Sequence, residues 1–110
     1  MINIHKNEVK GVDRYVIQYD FDGVIGECYF YNYDWSKSVI INNLIRTQYS
    51  QDKVEAIINN HFLNIAEWLD KKFKGEDVTF EDPEYDALQN WRKKCKEIAD
   101  EALTKYPILD

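Results

Sequence analysis

Asp20 and Asp22 are the residues whose type and spacing most invite a chemical reading. They stand one residue apart after an apolar run, Tyr15-Val16-Ile17-Gln18-Tyr19, and Gly23 follows them. As the start of a calcium loop they would supply its first and third ligands. The pattern then fails, because the glycine needed at position six is Ile25 and the glutamate needed at position twelve is Tyr31. His5 and His61 share no ligand spacing with Cys28 or Cys95. His61 lies near an apolar stripe and reads as a packed or interface histidine. No serine stands in a nucleophile-elbow context, and the chain's 4 glycines form no phosphate-cradling loop. On these grounds no catalytic, cofactor-binding or metal-binding residue is assigned.

Residues 15–25, Tyr-Val-Ile-Gln-Tyr-Asp-Phe-Asp-Gly-Val-Ile, resemble the first motif of the haloacid dehalogenase phosphatases, an apolar strand followed by Asp-x-Asp-Gly. The resemblance implies a Mg²⁺-dependent phosphatase in which Asp20 attacks phosphate and Asp22 protonates the leaving group. It also implies a parallel sheet with helices between its strands. The likeness covers about a tenth of the chain. No later Gly-Asp-x-x-x-Asp run supplies further metal ligands, and Arg14 and Gln18 interrupt a strand that a parallel core would keep apolar. A tight hairpin explains Asp22-Gly23 without chemistry, so the phosphatase stands as the alternative reading.

The elements that position these residues follow from a change of rhythm near residue 34. Before it, apolar and polar residues alternate; after it, apolar residues recur at three and four. Residues 2–9 read as a short strand, and 13–21 and 24–33 as a hairpin. With Asp22-Gly23 as a two-residue turn, Phe21 faces Val24, Tyr19 faces Gly26, Ile17 faces Cys28 and Tyr15 faces Phe30. That register puts an apolar set on one face; a one-residue slip would scatter it. Residues 35–48 read as a first helix with Asp34 or Ser36 as cap, although Val39-Ile40-Ile41 leaves a strand open there.

A long helix is expected over 51–74, capped by Ser50 and stopped by Gly75. A last helix is expected over 83–106, with Asp82 as cap and Pro83 as its first residue. The architecture expected is α+β: an N-terminal antiparallel hairpin or three-stranded meander followed by three helices packed on one face. It forms a single domain, 1–110, with a β part over 1–33 and a helical part over 34–110.

Composition narrows the function. The chain has 110 residues and a net charge of −6, which argues against a nucleic-acid partner. Residues 76–110 carry 10 acids against 5 bases. Most of that excess stands at the start of the last helix, where the helix dipole favours it. No run approaches a membrane span and the start carries no signal-like apolar core, so the expectation is a cytoplasmic protein with no membrane partner. Cys28 and Cys95 fall on apolar faces, as buried thiols would, though spacing alone does not exclude a disulfide.

Two segments, Tyr49-Ser50-Gln51-Asp52-Lys53-Val54-Glu55-Ala56-Ile57 and Tyr85-Asp86-Ala87-Leu88-Gln89-Asn90-Trp91-Arg92, resemble small proteins encoded in bacterial prophages and other mobile elements. That resemblance implies a non-catalytic accessory role. The apolar set of the long helix is wider than one stripe, and Val54, Ile57, Ile58, Ile65, Trp68 and Leu69 suffice to cover the hairpin. Phe62, Leu63 and Phe73 are then left over, beside the outer aromatics Tyr29, Tyr31 and Trp35. These six form the candidate interface for a protein partner or a second copy, a homodimer. The competing expectation is a long helix enclosed on both sides by the core.

Overall fold

A computed structural model describes residues 1–108; residues 109 and 110, the end of the expected helical part, lie outside the described residues. Strands β1 (Ile2–Val9), β2 (Val12–Phe21) and β3 (Val24–Tyr31) form an antiparallel sheet in the order β1-β2-β3. Helices α1 (Lys37–Arg46), α2 (Gln51–Phe73) and α3 (Pro83–Lys105) follow. The α+β class is as expected, and the meander form is the one adopted.

The β2–β3 register matches the alternation: Phe21 pairs with Val24, Tyr19 with Gly26, Ile17 with Cys28 and Tyr15 with Phe30. Asp22 and Gly23 both have positive φ, 54° and 92°, as a type I′ turn requires. Lys10 and Gly11, at 52° and 79°, make the same kind of turn between β1 and β2. β3 stops at Tyr31 because residues Asn32–Asp34 close a 3-10 turn. That turn redirects the chain and drives Trp35 inward.

Residues 35–48 contain a helix and no strand; tertiary packing of Ile40, Leu44 and Ile45 overrides the β-branched run. α2 begins at Ser50, whose hydroxyl accepts from Lys53 N–H. It ends in a Schellman motif: Gly75 N–H bonds Lys72 C=O and Glu76 N–H bonds Lys71 C=O. α3 begins at Asp82, which accepts from Tyr85 N–H, with Pro83 in the first turn.

The core lies between the inner sheet face and two helices. Ile4, Tyr15, Ile17, Tyr19, Cys28 and Phe30 meet Ile40 and Leu44 of α1 and Cys95, Ile98, Ala99 and Ala102 of α3. α2 packs against α3. The expectation that Val54, Ile57, Ile58, Ile65, Trp68 and Leu69 cover the hairpin is therefore corrected. Val54 and Ile57 are buried in the core, but residues from Asn59 onward leave it, and Leu69 is exposed. The physical reason is that α1 and α3 already cover the sheet. The molecule measures 65 × 28 × 22 Å, and its radius of gyration is 18.5 Å, against about 13 Å for a compact chain near this length. The expectation of a long helix enclosed on both sides is likewise not met.

Both sheet edges are closed at one carbonyl by a side chain from the helical layer. Gln48 Nε2 donates to Ile25 C=O at 3.2 Å on the β3 side, and Lys105 Nζ donates to Ile4 C=O on the β1 side. No helix of the described residues is long and apolar enough to cross a membrane.

Candidate interaction site

The outer half of α2 forms an arm with the segment that returns along it. Trp68 Nε1 donates to Val78 C=O at 3.0 Å, and its ring meets Phe80 edge-on at 5.7 Å. Further in, His61 stacks on Tyr85 at 3.5 Å with the rings 7° from parallel. His61 Nδ1 also bonds Asp82 Oδ2 at 2.8 Å, and Asn64 donates to the same oxygen. These contacts tie α2 to the start of α3. The His61 hydrogen bond, with help from Asn64 and Tyr85 N–H, holds the buried Asp82 carboxyl below the usual aspartate range. His61 is thus the packed histidine expected.

With the inner side of the arm committed, an apolar stripe faces water. Phe62, Ala66, Leu69 and Phe73 follow one another at spacings of four, three and four, so they share one face. Phe62 is 64% exposed and Phe73 95%; Leu63, beside the stripe, is 68% exposed. These are the three α2 residues singled out as a candidate interface.

The other three candidates lie elsewhere. Tyr29, 51% exposed, stands on the outer sheet face, where the Arg14 guanidinium lies 4.4 Å above its ring. Tyr31 is half-buried and stacked on Tyr33. Rows of polar bonds cross that face: Asn3 to Gln18, Gln18 to Glu27, and Arg14 to Asn7. The Gln18 amide and the Tyr29 hydroxyl lower the Glu27 carboxyl, and Glu27 in turn raises the Tyr29 phenol.

Trp35 must be removed from the candidate interface. It is 4% exposed, stacks on Tyr15 at 4.2 Å, and donates from Nε1 to Tyr106 C=O at 2.7 Å. Burying the indole requires a partner for its N–H, and the end of α3 supplies one.

Asp20 and Asp22 lie at the tip of the β2–β3 hairpin. Asp20 Oδ1 accepts Gly23 N–H at 3.0 Å, a turn-closing bond. The phosphatase resemblance implies a parallel sheet with helices between strands; the observed sheet is antiparallel throughout. Among the described residues, no group of three or more His, Cys, Asp or Glu side chains is placed to hold a metal ion. Cys28 and Cys95 are free and buried, with desolvation pushing their thiols up to about 11 and about 12.

A second concave region was not singled out from the sequence. It lies between the β2–β3 turn, the residues after α1 and the middle of α3, and it holds Phe21, Tyr49, Trp91 and Lys94. Its residues come from three distant stretches of chain, so spacing carried no signal for it.

No protein-family model matches the chain, and no curated protein or solved structure matches it.

Proposed function

We propose that this protein is a non-catalytic interaction protein that acts as a homodimer joined through the α2 arm. The observation that carries this reading is the exposed stripe Phe62–Ala66–Leu69–Phe73. Its 4-3-4 spacing is the heptad spacing of a coiled-coil seam. A monomer seldom keeps such a patch in water, and a twofold pairing is the commonest way to cover it. Antiparallel pairing of two copies sets the Phe62 of one against the Phe73 of the other, with Ala66 and Leu69 between. The resemblance of residues 49–57 and 85–92 to mobile-element proteins fits an accessory role. Two free, buried thiols suit a reducing, cytoplasmic setting, and the net charge of −6 disfavours nucleic acid as the partner.

Sedimentation equilibrium at micromolar concentration tests the reading. The expected species has twice the 13.1 kDa protomer mass, and Phe62→Asp with Phe73→Asp returns it to the protomer. A wild-type protein that sediments as one 13.1 kDa species overturns the dimer.

A further inference from the structure

The cleft beside the β2–β3 turn has a volume of about 630 Å³. That falls within the range of small-molecule sites, about 300–1,000 Å³, which pair apolar walls with a few placed polar groups. Its walls are aromatic: Phe21 from the end of β2, Tyr49 from the turn before α2, and Trp91 from α3. Three polar side chains reach it. Gln48 is already committed to the Tyr19 hydroxyl and to Ile25 C=O. Asn90 makes no side-chain hydrogen bond among the described residues. Lys94 is the third.

Lys94 brings the positive charge to the cleft wall. It is only partly exposed, and its Nζ stands 4.5 Å from the centroid of the Phe21 ring. Like Lys10, Lys72, Lys93, Lys96 and Lys105, Lys94 has no carboxylate partner among the described residues, and of these six it is the one that lines the cleft. Trp91 shows its ring to the cleft, while its Nε1 is buried without a hydrogen-bond partner among the described residues and out of reach of a molecule there. A cation without a counter-ion, set against aromatic faces, describes what the cleft lacks.

We infer that this cleft binds a small aromatic carboxylate. Its ring packs among Phe21, Tyr49 and Trp91 in the offset or edge-on arrangements that aromatic faces favour. Its carboxylate pairs with Lys94 and draws on the free Asn90 amide. One carboxylate matches one ammonium. The site uses no residue of the α2 stripe, so it stands whether or not the protein is a dimer.

The probes are 2-naphthoate and its uncharged counterpart 2-naphthylmethanol, each titrated into the full chain. Binding is read from the indole N–H signals in ¹⁵N–¹H correlation spectra. Expected is saturable one-to-one binding of 2-naphthoate, about tenfold or more tighter than the alcohol, as a charge-assisted contact implies. The Trp91 indole signal, assigned by Trp91→Phe, should move while that of Trp68 on the arm stays. Lys94→Gln should make acid and alcohol bind equally, and Lys94→Arg should keep the preference for the acid. Absence of saturation, equal binding of acid and alcohol to the wild type, or an unchanged preference in folded Lys94→Gln overturns the inference. Should Lys94→Gln fail to fold, the wild-type comparison of the two probes decides.

Discussion

The phenol ring of Tyr19 occupies the space that a Cβ on Gly26 would fill. The two residues are directly paired across β2 and β3, and Tyr19 is 1% exposed. Its hydroxyl bonds Thr47 and Gln48 at the end of α1, so the ring cannot swing aside freely. Glycine is required here for close approach, and β3 tolerates its weakness because the tyrosine covers it. Gly26→Ala should destabilise the protein by about 1–3 kcal/mol through overpacking, read as a fall in the urea midpoint. Gly23→Val should cost about 1–2 kcal/mol for a different reason, the strain of positive φ on a β-branched residue.

Trp35→Phe leaves a smaller aromatic ring against Tyr15 and deletes the bond to Tyr106 C=O. Loss of about 1–2 kcal/mol is expected, since the carbonyl and the stacked Tyr15 lose a buried partner. Thermal unfolding followed by circular dichroism checks it.

Asp82 should make the arm acid-sensitive. Its folded pKa lies below the ordinary aspartate value. The stabilisation is therefore present above the ordinary aspartate pKa and disappears as pH falls through the lowered one. Amides at the arm end of α2 and the start of α3 should lose hydrogen-exchange protection in acid before those of the sheet. Asp82→Asn should weaken that dependence and lower the melting temperature by several degrees.

The thiols respond in the opposite direction. Cys28 and Cys95 have folded pKa values raised to about 11 and about 12. Their stabilising burial is intact below the ordinary thiol range and is lost as pH rises from about 9 towards those values. Stability should fall across that alkaline window. A Cys28→Ala, Cys95→Ala double variant should flatten the slope. In the wild type at neutral pH, alkylation by iodoacetamide should be slow and should accelerate on unfolding.

How far each part of the molecule was legible depends on how local its causes are. The hairpin register was readable because Asp22-Gly23 specifies the turn and alternation specifies the face. Ser50, Asp82-Pro83 and Gly75 marked helix ends because capping acts within a few residues. The fate of Trp35 was not readable: it depends on a carbonyl at Tyr106, far along the chain. The width of the α2 apolar set showed that it exceeded one stripe, but not that α1 and α3 would occupy the sheet first. Asp82 read as a local cap, whereas its second role, receiving His61, is set by helix packing. Lys94 stands in the basic run Arg92-Lys93-Lys94, and nothing in that stretch of sequence announces Phe21.

The cover of the sheet carries a consequence for biosynthesis. The strands form by two tight turns and need only the first few dozen residues. Their apolar face waits for α3, whose Ile98, Ala99 and Ala102 lie about 70 residues after Tyr31. At about 5–20 residues per second on the ribosome, that interval is roughly 4–14 s. For that interval the sheet has only α1 to cover part of its apolar face, and its β1 edge still lacks Lys105. The cover of the sheet is thus completed in the order of synthesis, first by α1 and last by α3.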